Sequence, residues 1–131
     1  MKPHRFYIAI DGDDVGERLR ELIIANNIEG AASLSGQIVN YFNEISTQFV
    51  NRGCTPIFCA GDSVLLVSEA YFDVWFSEIP AGPCTISVGI GESAEYAYLA
   101  LQLAKARGKK QVVKLSGTVA QTVHKWNSTT D

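Results

Sequence analysis

The sequence predicts an α+β domain in which helices cover one face of a mostly antiparallel sheet. Three observations carry this. Short apolar, strand-like runs occur at 5–11, 54–60, 64–69, 84–91 and 111–115; helical stripes fill the gaps after the first and fourth; and the second and third runs are separated only by Gly61-Asp62-Ser63.

The first run, RFYIAID, is aromatic and β-branched and ends in a turn cluster, the pattern of a buried strand. Behind it Val15, Leu19, Leu22 and Ile23 recur at helical spacing until Asn26-Asn27 interrupts them. A longer helix follows on Leu34, Ile38, Tyr41, Phe42, Ile45 and Phe49, stopped by Gly53. CTPIFCA and VLLVSE then read as a hairpin with Gly61 in its turn. Residues 70–79 fit a short helix and a strand equally. CTISVGIG is strand-like, and Ser93 caps a helix whose inner stripe is Ala94, Ala97, Tyr98, Leu101 and Ala104. QVVKL is the last predicted strand. From Ser116 the signals are weak, and the final residues are expected to fray. The order β-α-α-β-β-(short element)-β-α-β is that of a ferredoxin-like βαββαβ core.

The 131 residues have the length of a single domain able to bury its own core. A net charge of −3 provides no broad basic field for gripping duplex nucleic acid, so nucleotide contact requires a local site. Cys54, Cys59 and Cys84 are odd in number and lack CxxC spacing, which fits neither a disulfide framework nor a zinc site and predicts a reducing, cytoplasmic setting. No apolar run approaches the roughly 18–20 residues of a membrane span, and the first residues lack a signal-peptide pattern, so no membrane contact is expected.

Two acidic turns stand out: DGDDVG after the first strand and AGDS at the hairpin tip. In a ferredoxin-like sheet these ends meet, which sets Asp11 against Asp62. Two half-buried carboxylates a few Å apart repel unless one is protonated or a cation lies between them. All-oxygen ligands suit Mg²⁺ or Mn²⁺. Gly12 allows a backbone carbonyl to turn toward the same cation, and the amides of Asp13, Asp14, Val15 and Gly16 open a helix toward an arriving anion. An acidic turn with an ordinary N-cap accounts for DGDD equally well. In LAKARGKK, Lys105 and Lys109 lie four apart and share a face if the helix persists that far. They fit both simple helix-dipole chemistry and a grip on β- and γ-phosphates.

IAIDGDD, CAGDSVLL, ISVGIG and ALQLAKARGKKQVV resemble, in order, the four landmarks of GGDEF and CRISPR-polymerase palm domains, over about residues 5–115. The likeness is closest to the minimal CRISPR polymerase (mCpol) group. It implies synthesis of a cyclic nucleotide signal from nucleoside triphosphates with two Mg²⁺ or Mn²⁺ ions. Asp11 and Asp62 would bind both ions and Gly12 would add its carbonyl. The 13–16 turn and Ser63 would face the nucleotide and its phosphates, and Lys105 and Lys109 the pyrophosphate. It implies adenine as the base and a separate effector protein that senses the product, in defence against phage. One site per chain implies a homodimer or higher homo-oligomer.

The chain departs from the pattern at the hairpin, where Ser63 stands in place of a second acid that would help to hold the second metal. A palm that binds nucleotide without reacting is the corresponding alternative. Where diguanylate cyclases read guanine, Leu19 and Ile28 offer no hydrogen bonds, which disfavours guanine. A phosphoreceiver domain shares the length and an acidic pair, but its phosphorylated Asp ends a strand before a helix, whereas Asp62 sits between two strands. His4 and His124 lack partners at ligand spacing, the aromatics of YFDVWF read as core or dimer contact, and Cys59 reads as a buried small hydrophobe.

Overall fold

The computed structural model describes residues 5–69 and 75–127. Strand β1 (Phe6–Gly12) leads into helices α1 (Val15–Ile24) and α2 (Ile28–Asn51), then β2 (Thr55–Ala60) and β3 (Ser63–Ser68). After a 3₁₀ turn at Trp75–Glu78 come β4 (Ile86–Gly91), α3 (Ala94–Ala106), β5 (Gln111–Ser116) and β6 (Val119–Lys125). The six strands form one sheet in the order β2-β3-β1-β4-β5-β6, with only the β4–β5 pair parallel. This is the predicted α+β, ferredoxin-like arrangement, with β1 between β3 and β4.

Helix ends follow from local chemistry. The Asn26-Asn27 break has two jobs: Asn26, at φ 57, closes α1 by donating to Ile23 O, and the Asn27 side chain caps α2 by accepting from Gly30 N at 2.9 Å. Gly53, at φ 96, ends α2, and the Cys54 N–H reaches back to Phe49 O. Ser93 caps α3 as expected, accepting from Tyr96 N.

One expectation is corrected: the helices lie on both faces of the sheet. Alternate residues of β1 separate them. Ile8 and Ile10 join Leu66, Val88 and Ile90 under Phe42, Ile45 and Phe49 of α2. Ala9 instead packs against Ala97 and Leu101 of α3, while Val113 and Leu115 meet Ala100 and Ala104. The reason is the glycine pair of β4. A Cβ on Gly89 would stand 2.2 Å from Ala97 O and Leu101 N, and one on Gly91 2.6 Å from Ala97 N, so only glycine lets α3 settle on that side. Phe42, Phe49 and Phe76 are the largest fully buried side chains, each contributing about 2–3 kcal/mol of burial.

The weak tail holds a second correction. Residues 119–125 are strand β6, turned back by Gly117 at φ 59. It is an exposed edge strand without a consistently apolar face, which removes the alternation by which a strand is recognised. Of residues 70–79, the first five lie outside the described residues, as do His4, most of the YFDVWF segment and 128–131; Phe76 is core. Cys59 is exposed on edge strand β2, not buried, and its thiol faces Asn43 Oδ1 at 3.4 Å. His124 is a packing residue, its ring 4.9 Å from that of Trp126. Among the described residues no helix is long and apolar enough to cross a membrane.

Candidate functional site: two acidic turns and a lysine

The sheet register brings the two acidic turns together. Asp11 pairs with Ser63 across β1–β3, and the Ser63 hydroxyl donates to Asp11 Oδ1 at 2.8 Å. The Gly12 N–H donates to Asp62 O at 3.0 Å, which seats the Gly61-Asp62 turn on the end of β1. Gly12 must be glycine here, because a Cβ would meet Val15 Cγ2 at 2.8 Å and Asp62 Oδ2 at 3.2 Å. The Asp62 carboxyl is pushed above its usual range, first by burial and then by the Asp11 charge. Asp11, Asp62 and the Gly12 carbonyl thus offer hard oxygen donors, a set that fits Mg²⁺ or Mn²⁺. Among the described residues no three His, Cys, Asp or Glu side chains converge, so the two carboxylates need the carbonyl and further oxygens to complete a shell.

Lys105, near the end of α3, reaches into this set. Its ammonium lies 3.0 Å from Asp11 Oδ2, 2.8 Å from Gly12 O and 3.4 Å from Asp13 Oδ1. In this state it faces the acids. Lys109 pairs with Asp14, whose carboxyl is held below its usual value chiefly by that hydrogen bond. The two lysines do not share a helical face. Helix α3 stops at Ala106, Gly108 turns the chain at φ 115, and Lys109 and Lys110 both adopt left-handed conformations at φ 66 and 55.

The three acids of the first turn separate by role. Asp13 is 2% exposed, and its oxygens are fully engaged: Ser87 Oγ donates to Oδ1 at 2.7 Å, and Thr85 Oγ1 and the Lys110 N–H donate to Oδ2 at 2.8 and 3.3 Å. Its own amide donates to Thr85 O, so it is not open to an anion. Asp13 is therefore a buried clamp joining β1, β4 and the α3–β5 turn. Asp14 precedes α1 at φ 61 and its side chain caps nothing. Val15 is buried, while Gly16 is exposed in the first turn of α1, where N–H groups have no intrahelical acceptors. That first turn is the part of the 13–16 segment that can meet an anion.

Residues beyond those read from the sequence complete the site. Thr85 and Ser87 hold Asp13. Gln111, 2% exposed, donates to Arg107 O and Lys109 O at 3.1 and 3.3 Å and accepts from Thr122, fixing the turn that presents Lys109. Their only sequence signal is a polar residue inside or opening an apolar strand.

A ferredoxin-like sheet with an acid at the end of its central strand, a second acid in the adjacent hairpin turn and a lysine over both defines a palm domain. The chain belongs to the mCpol family, the minimal CRISPR polymerase domain, whose model matches residues 7–115. Its fold is similar to that of a chain in the crystal structure of a Csm1–Csm4 cassette in complex with cA4. The TM-score is 0.64 and the identity 19%, over 86% of this chain and 21% of that one. The chain thus spans about a fifth of that neighbour's length. No curated protein matches it.

Proposed function

We propose that the protein is a metal-dependent nucleotidyltransferase that joins nucleoside triphosphates, ATP favoured, into a cyclic di- or oligonucleotide and releases pyrophosphate. The observation that carries this reading is the approach of Asp62 to Asp11 and Gly12, which gathers two carboxylates and a carbonyl where one of the carboxyls is already destabilised as an anion. Asp11, Asp62 and the Gly12 carbonyl would hold Mg²⁺ or Mn²⁺. Such an ion supplies the positive charge that acidifies an attacking ribose hydroxyl and neutralises a leaving pyrophosphate.

The chain's own residues do the positioning. Ser63 orients the Asp11 carboxylate through its 2.8 Å hydrogen bond, leaving Oδ2 to face the site. The first turn of α1 meets phosphate oxygens with its N–H groups. Lys105 and Lys109 stand beside it as the cations available to the β- and γ-phosphates, once they release Asp11 and Asp14. Family membership and the fold shared with a cassette bound to cA4, a cyclic oligonucleotide, support a signalling role in antiviral defence, with a separate effector reading the product. A ring made from one site per chain calls for a homodimer or larger homo-oligomer.

The experiment is incubation of the protein with mixed nucleoside triphosphates and Mg²⁺ or Mn²⁺, followed by pyrophosphate assay and mass spectrometry of products. Pyrophosphate and a cyclic product are expected, both abolished in Asp62→Asn; product persisting in that variant overturns the metal assignment. Ser63, in place of a second acid, and the Lys105 ammonium lying on Asp11 favour a second reading, a palm that binds nucleotide without turnover. Saturable ATP binding with no pyrophosphate over hours would establish that one.

A further inference from the structure

Helix α3 covers β4, β5 and the adjoining side of β1, and leaves the same face of the sheet open over β3 and β2. The open strip is a groove of about 300 Å³. Leu65 lies in its floor, Phe58 of β2 forms one wall, Tyr98 and Gln102 of α3 the other, and it ends at Asp11 and Ser63. Phe58 and Tyr98 are 47% and 59% exposed, so two aromatic rings stand in solvent on opposite sides of a groove that leads to the candidate catalytic carboxylate. Among the described residues that line it, Asp11 is the one charged side chain.

We propose that this groove binds the nucleoside of the nucleotide whose ribose hydroxyl attacks, with its base between Phe58 and Tyr98. The inference rests on the nucleotidyltransferase reading and adds a second subsite to it. An apolar channel suits a base and ribose better than a triphosphate, whose proposed counter-charges, Lys105, Lys109 and the first turn of α1, are not among its lining residues, although Lys105 meets Asp11 at its inner end. Its volume is at the lower end of small-molecule pockets. Any base has a face to stack on an aromatic ring, and the Gln102 amide adds a donor and an acceptor one helical turn before Lys105. A ribose at the inner end of the groove would lie next to Asp11, one of the carboxylates proposed to hold the ion that acidifies the attacking hydroxyl.

The test is titration of the full chain with the fluorescent nucleoside 2-aminopurine riboside, without metal or phosphate, following its quenching by stacking. Saturable quenching is expected, weakened about tenfold or more in Tyr98→Ala and in Phe58→Ala, the loss of one base–aromatic stack, and unchanged in Lys109→Ala. Circular dichroism and thermal melts verify that the variants fold. No quenching, or equal quenching in the aromatic variants, overturns the proposal even if Asp62→Asn still abolishes pyrophosphate release. Quenching lost in the aromatic variants supports it even if the wild type releases no pyrophosphate. If sedimentation shows that Tyr98→Ala converts a dimer to a monomer while nucleoside binding is unchanged, the groove is a subunit contact and the proposal fails.

Discussion

The ammonium of Lys105 lies 3.0 Å from Asp11 Oδ2 and 2.8 Å from the carbonyl oxygen of Gly12. The end of α3 thus places a positive charge among the oxygen donors proposed for a divalent cation, and one group balances Asp11 and the buried Asp13 together.

Lys105→Met is therefore expected to leave two acids without their counter-charge. A loss of about 2–4 kcal/mol in urea unfolding is the expected size for removing one partner of a partly buried ion pair. Mg²⁺ or Mn²⁺ should raise the midpoint of the variant more than that of the wild type, since the cation then meets no resident ammonium. An equal response in both proteins would show that Lys105 and the metal do not share ligands.

Ser63 donates to Asp11 and occupies the position of the missing second acid. Ser63→Ala should cost about 1 kcal/mol, one hydrogen bond, and disturb the orientation of Asp11. Ser63→Asp should do the opposite of a rescue in the absence of metal: it sets a third carboxylate near Asp11 and Asp62 and lowers stability, while tightening Mn²⁺ binding measured by calorimetry. Weaker Mn²⁺ binding in Ser63→Asp would place the cation elsewhere.

Gly89→Ala tests whether the seat of α3 governs the site. The added methyl would stand 2.2 Å from two backbone atoms of α3, which no rotamer change relieves. The helix must move, and the expected loss is about 3 kcal/mol, with Lys105 displaced from Asp11. Chemical denaturation reads the first effect, and loss of any pyrophosphate release in the folded fraction reads the second.

His124 has a buried Nε2 without a hydrogen-bond partner, and burial lowers its pKa from the ordinary 6.5. A depressed pKa means that the unfolded chain takes up the proton first. The stability due to neutral His124 is complete above pH 6.5 and is lost as the pH falls from there toward the folded value. Replacing it with a group that cannot titrate removes this slope. His124→Phe should hold its melting temperature better than the wild type between pH 7.5 and pH 5; parallel curves for the two proteins would refute this.

Much of the fold is legible along the chain because its signals are local. The register of apolar residues marks β1, α2 and α3, the Asn26-Asn27 and Gly53 breaks end their helices through backbone geometry, and Gly61 turns the hairpin. Strand β6 was not legible, because an exposed edge strand has no buried side to impose alternation. The placement of α3 on the second face was not legible either: it depends on Gly89 and Gly91 of another element.

The sequence by itself determined the order of the main elements from β1 to β5, the two acidic turns, and the pairing of Asp11 with the hairpin, since strand order and turn chemistry suffice for these. The tertiary structure decided how the acids divide. Asp13 becomes a buried clamp only because Thr85, Ser87 and Lys110 converge on it from two other elements, and Asp62 becomes an uneasy anion only because burial and Asp11 act on it together. It also decided where Lys105 rests. Spacing along a helix states which residues share a face; which oxygens a flexible cation meets depends on charge and desolvation across elements far apart in the chain.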